Sequence, residues 1–251
     1  MDLRESPTGD VVRHPWETCR LRFFARILDK THKTSGALRI LDAGAGDGWF
    51  ASTLMLRLPE GSSIVCFDTN YTAPQLAQLS RTASAGVTFT TVLPEQKFDI
   101  VLALDVVEHV EDDAGFLRRL LDTHLTDGGH LIFSVPAWPV LFSNHDRFLH
   151  HYRRYRPATA RRLLKQIDLQ ILTTGGLFHG PMFVRAIQTF VEKSVHSKPA
   201  HDFSTVWRHG PLVTALVTFA LSVDTALSRV AAFAGVELPG LSWWASCQKH
   251  P

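Results

Sequence analysis

A chain of 251 residues with 45% apolar and 20% charged residues can bury one sizeable core and lacks the composition of a disordered segment. Its 26 Lys and Arg against 24 Asp and Glu leave a net charge of +2, too mild to point to nucleic acid or to a strongly acidic partner. The three cysteines, Cys19, Cys66 and Cys247, form no pair motif, which argues against a disulfide framework or zinc ribbon and fits a reducing, cytoplasmic compartment.

The first residues, with Asp2, Arg4, Glu5, Asp10 and Arg13, carry no apolar run, so no signal peptide is expected there. Pro15 to about Lys30 reads as a covering helix. Leu38–Ala43 is a first strand stopped by glycines, and Trp49, Phe50, Leu54 and Leu58 mark a helix after it. A second strand, Ser63–Asp68, a helix over Ala73–Thr82 and a weaker strand over Val87–Val92 follow. Phe98–Leu104 is almost continuously apolar, as a central parallel strand must be. A helix over Asp112–Leu121 leads to a fifth strand, Gly129–Val135. Alternating strands and helices predict a parallel sheet covered on both faces.

Beyond that point the order loosens. Pro157 starts a helix with Ala160, Leu163, Leu164 and Ile167 on one face, and Asp168–Thr174 suits a sixth strand. Two apolar helices are expected at Pro181–His196 and Pro211–Ala234, separated by a polar loop over Ser197–Ser204. The apolar run of the second is shorter than a membrane span needs, and Asp224 and Arg229 would lie inside any longer one. A buried or amphipathic helix is the favoured reading, and an in-plane surface helix stays open. Leu241–Gln248 reads as a terminal strand.

The informative motif is Asp42-Ala43-Gly44-Ala45-Gly46-Asp47-Gly48, between the first strand and a helix. Glycines there let the backbone turn tightly and approach a ligand without a Cβ. The dinucleotide spacing would require a glycine at position 49, where Trp49 stands. Two carboxylates, Asp42 and Asp47, would also repel a pyrophosphate. S-adenosylmethionine has no phosphate, and its ammonium and sulfonium groups favour nearby acids. Asp68, at the end of the second strand, can accept hydrogen bonds from both ribose hydroxyls.

On these residues Leu38–Asn70 resembles the cofactor-binding half of class I methyltransferases. Phe98–Val110 is similar to their fourth strand and following turn, and Leu125–Leu131 to their turn into the fifth. The resemblance implies an α/β, Rossmann-like three-layer sandwich around a mostly parallel seven-stranded sheet with an antiparallel last strand, here with extra C-terminal helices. It also implies S-adenosyl-L-methionine as cofactor and S-adenosyl-L-homocysteine as product. Asp42, Gly44, Ala45, Gly46, Gly48, Asp68, Thr69, Asn70, Leu104, Asp105 and His109 are the expected cofactor-binding residues. Leu104 and Asp105 would lie beside the methionine part and His109 at the wall of the active site. The third strand lacks the acidic residue often found near the adenine, so Asn70 or Tyr71 is the candidate there. The whole chain, 1–251, is expected to form one domain: a helical cover over 1–35, the cofactor-binding core over 36–135, and a substrate-side segment with apolar helices and closing strand over 136–251.

The stretch from Pro136 to Arg162 is basic and rich in histidine. Asn144–Tyr155 resembles a methyltransferase subgroup with a His-Tyr-Arg-Arg-Tyr signature that often accompanies saccharide or lipid-linked assembly enzymes, and Leu238–Ser242 looks like its closing turn. Following the fifth strand, the stretch should overhang the sulfur end of the cofactor. His145, Asp146 and His151 are then candidate bases. Trp138, His150, Tyr152, Arg153 and Arg154 are candidate acceptor contacts, guanidinium groups being suited to phosphate or carboxylate. Ion pairing of the arginines with neighbouring carboxylates is an equally weighted reading. A metal site from His145, His150 and His151 is disfavoured, since the spacing matches no standard helical pair. Glu108 is read as a helix cap.

These readings predict methyl transfer by in-line displacement to an oxygen or nitrogen of a small-molecule or lipid-linked acceptor, with no nucleic-acid partner and no metal. Peripheral membrane contact through 181–234 is left open. The alternatives are a non-catalytic nucleoside-binding protein and, less favoured, a nicotinamide-dependent oxidoreductase.

Overall fold

The computed structural model describes residues 12–31, 36–195 and 207–250. The expectations for the first residues and for the polar loop over Ser197–Ser204 lie outside them, except at Arg13.

Seven strands form one sheet: β1 (Arg39–Ala43), β2 (Ser63–Phe67), β3 (Val87–Thr90), β4 (Phe98–Leu104), β5 (Leu125–Pro136), β6 (Leu169–Leu177) and β7 (Ser242–Lys249). Their spatial order is β3-β2-β1-β4-β5-β7-β6. β1 to β5 pair in parallel, and β7 runs antiparallel between β5 and β6. This is the expected sheet, with the last strand inserted next to the edge. Strand order reverses direction between β1 and β4, and the carboxyl ends there open the crevice in which such sheets bind ligands.

The apolar sequence of β4 leaves six of its positions fully buried or nearly so, because both of its faces are covered. On one face, α1 (Pro15–Thr31), α2 (Trp49–Met55) and α8 (Pro211–Phe233) close a core containing Phe23, Phe24, Leu54, Ile64 and Trp244. On the other, α4 (Asp113–His124) and α6 (Pro157–Gln166) contribute Leu117, Leu121, Leu163 and Leu164 to a core with Val101, Phe133 and Trp243. α3 (Ala73–Thr82) borders β3 and begins in a reciprocal cap between Thr72 and Gln75. Asp112 caps α4 by accepting from the Gly115 amide, so the cap lies four residues beyond Glu108.

Two features depart from the pattern read in the sequence. A short helix, α5 (Asn144–Phe148), and two 3-10 turns, Val107–His109 and Pro139–Leu141, were not legible as periodic segments, because one turn of helix carries no period. The second concerns α7 (His179–Val195) and α8, which form where expected. α8 buries Leu221, Thr225, Ser228 and Ala232, while Leu216, Phe219 and Val230 point outward, each at least 60% exposed. Its inner stripe is the more polar one. Asp224 there accepts from the amides of His179 and Gly180, capping α7, and Ser228 Oγ meets His179 Nε2 at 2.9 Å.

Candidate active site

The loop after β1 is shaped by three left-handed glycines, Gly44 (φ 72°), Gly46 (φ 58°) and Gly48 (φ 69°). A Cβ on Gly44 would stand 2.7 Å from a Val106 methyl, and one on Gly48 would stand 2.3 Å from the Phe89 ring. Backbone conformation and close approach therefore both demand glycine. The Gly44 and Ala45 amides donate to the Phe67 carbonyl, which ties the loop to β2.

Asp68 is buried at the end of β2. Its Oδ2 accepts from the Gly46 amide at 3.2 Å, and its Oδ1 from the amide and side chain of Asn70. Tyr71 donates its hydroxyl to the Gly46 carbonyl at 2.6 Å. Thr69 and Asn70 are exposed beside it. Asp42, at the end of β1, is buried, and burial pushes its carboxyl up to about 7, with Asp68 and Asp47 adding to the rise and Arg20 opposing it. Leu104 closes β4. Asp105, held at φ 59°, takes an ion pair from Arg20 of α1 at 2.7 Å and a hydrogen bond from Ser134 at 3.0 Å. Trp16, Glu17 and Arg20 of α1 line a cleft with Asp47, Trp49 and Phe50.

This cradle fits S-adenosylmethionine: glycines clear the space, an acidic residue ends β1 and a carboxylate ends β2, while the basic groups beside the loop, Arg13 and Arg20, are paired with Asp47 and Asp105. Arg20 was not foreseen. Its signal was only an arginine on the buried face of a helix.

The segment after β5 folds back over the first 3-10 turn. Asp146 is fully buried. Its Oδ1 lies 2.9 Å from His151 Nδ1 and 2.7 Å from Arg154 Nε, and its Oδ2 accepts from the amide and hydroxyl of Ser143. Burial alone would raise this carboxyl, but the bonds from His151, Arg154 and Ser143 outweigh it and hold it well below the usual range. An ionised carboxylate can only accept, so the proton of His151 sits on Nδ1 and Nε2 is the basic nitrogen. The His151 ring meets His109 edge to face at 4.6 Å. Glu108 is fully buried there; neither carboxylate oxygen has a hydrogen-bond partner among the described residues. Burial, reinforced by Asp105, pushes its carboxyl well up. Glu108, His109 and His151 bring one carboxylate and two imidazoles within 4.8 Å of one another, a donor set that divalent ions accept. Glu108 is therefore a buried group of the site and not a cap.

The other residues singled out in the sequence are distributed differently. His145 is half-buried, and burial, then Arg185, pulls its pKa down to about 4. His150 is exposed, in a left-handed turn at φ 59°. Arg154 also donates to the Ala137 carbonyl at 3.2 Å, and Arg153 pairs with Asp113 at 3.0 Å and donates to the Glu111 carbonyl. Both guanidinium groups thus engage groups of their own chain. Trp138, at φ 64°, donates its indole N–H to the Gly240 carbonyl at 2.9 Å. It lines a cavity with Leu238, Pro239 and Trp243 at the closing turn. Tyr152 is exposed, its amide bonded to the Glu108 carbonyl.

Comparison with known proteins agrees with this fold. A family model described as a methyltransferase domain matches residues 13–174, more than half of the chain, and so this protein belongs to that family, the class of S-adenosylmethionine-dependent methyltransferases. Among its relatives is the ubiquinone biosynthesis O-methyltransferase of Bartonella quintana, 27% identical over 164 residues, covering 58% of this chain and 65% of that protein. A Bradyrhizobium diazoefficiens protein of the same name is 37% identical over 90 residues, 34% of each chain. The match thus spans less than two thirds of the length of these curated relatives. A Mesorhizobium loti S-adenosylmethionine-dependent methyltransferase superposes with a TM-score of 0.54 at 18% identity over 89% of this chain and 96% of the other. That likeness concerns the fold.

Proposed function

We propose that this protein transfers the methyl group of S-adenosylmethionine to a hydroxyl oxygen of a small-molecule acceptor carrying an apolar or lipid-linked moiety. The observation that carries the reading is the buried Asp146 beneath His151, on the segment that follows β5. When bound, the cofactor supplies an electrophilic methyl on a positive sulfur. A hydroxyl acceptor is a poor nucleophile until it loses its proton, and His151 Nε2 is the group suited to take it. Asp146 fixes the ring's tautomer and stabilises the imidazolium. Arg154 and Ser143 hold Asp146 in turn. The loop of Gly44, Gly46 and Gly48 cradles the cofactor, Asp68 receives the ribose, and Asp42 favours the ammonium end. The cleft that Trp16, Glu17 and Arg20 of α1 line with Asp47, Trp49 and Phe50 would hold the cofactor in place for the transfer.

Relatives named for an O-methyl transfer in ubiquinone biosynthesis support an oxygen acceptor of apolar character. Val140 and Tyr152, exposed around the His151 segment at 70% and 55%, suit the apolar part of such an acceptor. The accompanying localisation is the cytoplasmic side of a membrane. Untargeted mass spectrometry of lipid and aqueous extracts incubated with the protein and methyl-labelled cofactor tests the reading. Label on an ether oxygen of a lipid-extractable product is expected. Label on nitrogen only, or none with cofactor bound, overturns it.

A further inference from the structure

We infer that the outer faces of α7 and α8 form a docking surface for an anionic lipid bilayer. The inference extends the reading above, on which it rests for the nature of the acceptor but not for the surface itself.

On α8, Leu212, Leu216, Phe219, Val223 and Val230 recur at helical spacing and all point to solvent. On α7, Phe183, Ile187 and Phe190 do the same, each more than 60% exposed. Large apolar side chains so gathered are not the usual exterior of a soluble domain and mark a contact surface. By length and composition alone α8 could cross a membrane, although its unbroken apolar run is shorter than a span, and its inner side is committed to the fold. Thr225 and Ser228 are buried, Asp224 caps α7, and Cys19 of α1 contacts the Thr218 carbonyl. Crossing would strip these polar contacts away, whereas lying in the interfacial plane leaves them intact.

Charge selects the occupant. The exposed edge of α1, packed beside α8, carries Arg22, Arg26 and Lys30, one helical turn apart. The Lys30 ammonium stands 3.6 Å from the Phe233 ring centroid of α8. Arg208 is exposed just before α8. The nearby acids are already engaged: Asp29 with Arg57, Asp224 with the α7 amides, and Glu192 with the Asn144 amide. An apolar face with a basic margin is complementary to acyl chains beneath anionic headgroups. α7 also joins this surface to the active site. Its Lys193 donates to the Val140 carbonyl and its Thr189 to the Leu141 carbonyl, on the turn preceding the Asp146–His151 segment. A docked bilayer would place lipid beside the acceptor entrance.

Flotation of the full-length protein with vesicles of phosphatidylglycerol and phosphatidylcholine, against phosphatidylcholine alone, tests the surface. We expect at least tenfold stronger partition onto the anionic vesicles, weakened by salt. Phe190→Ser with Phe219→Ser, both at exposed positions, should lose it at least tenfold while cofactor binding by calorimetry is unchanged. Arg26→Glu with Lys30→Glu should erase the preference for anionic lipid. Failure to float with either vesicle, or burial of this face in a stable dimer seen by sedimentation, overturns the inference. Flotation together with label found only on water-soluble products retains the docking surface and overturns the lipid-linked acceptor.

Discussion

His151 Nδ1 lies 2.9 Å from Oδ1 of the fully buried Asp146, the same oxygen that receives Arg154 Nε at 2.7 Å. One carboxylate thus orients an imidazole while neutralising a buried guanidinium. The two roles are separable by substitution. His151→Ala should lower kcat by about 10²- to 10⁴-fold, with cofactor affinity unchanged. Asp146→Asn should in addition destabilise the fold by about 3–5 kcal/mol, because Arg154 keeps its charge without a counter-ion. Methyl-transfer kinetics with urea unfolding check both. Wild-type turnover in His151→Ala would remove the base from the mechanism.

The role proposed for Asp42 would couple stability to cofactor binding. Burial raises its carboxyl from the ordinary value of 3.8 to about 7. Between those values the folded protein holds a proton that the unfolded chain releases, so stability falls as pH rises from about 4 to about 7. The charged form, present above pH 7, is the one that attracts an ammonium group. Cofactor binding should therefore tighten as pH rises through 7. Asp42→Asn should bind about 10- to 100-fold more weakly, lose most of that pH dependence, and melt no lower than wild type at pH 8. Calorimetry and thermal denaturation from pH 5.5 to 8.5 measure all three. An unchanged affinity in Asp42→Asn would sink the assignment.

Glu108 carries the same linkage in a stronger form. Its carboxyl, pushed well above 4.5 by burial and by Asp105, remains protonated in the fold where the unfolded chain would ionise. The stability of the wild type should fall as pH rises above about 4.5. Glu108→Gln is neutral throughout, so it should melt above the wild type at pH 8 and differ by no more than about 1 kcal/mol at pH 4. Equal melting at both pH values would show that the carboxyl is not held neutral.

Gly48 combines a left-handed backbone with a ring already in place. Gly48→Ala should cost about 2–4 kcal/mol from the conformation and the encounter with Phe89, and should abolish cofactor binding by displacing the loop. Thermal denaturation and calorimetry suffice to check it. A variant with wild-type melting temperature and affinity would contradict the cradle described.

Much of the fold was legible because its signals are local. The apolar run of β4 needs no partner to be recognised, and the boundaries of α3 matched its pattern because Thr72, Pro74 and Gln75 mark its start. The glycine loop was legible because left-handed backbone and the absence of a Cβ impose residue type directly. The second half was harder. Whether Arg153 and Arg154 reach out or pair inward depends on where Asp113 and Asp146 come to lie, 40 and 8 residues away along the chain.

By itself the sequence determined the strand–helix alternation and the glycine turn after β1, since each rests on periodicity or on a residue's own backbone preference, while the ligand class came from the carboxylates around that turn and from the resemblance to class I methyltransferases. Tertiary structure alone decided that Glu108 is a sealed carboxyl beside two histidines, that Arg20 reaches Asp105 from α1, and that the apolar side of α8 faces outward. The physical reason is that burial and charge pairing belong to pairs of elements. A stripe of leucine and phenylalanine looks the same along a chain whether another helix covers it or not.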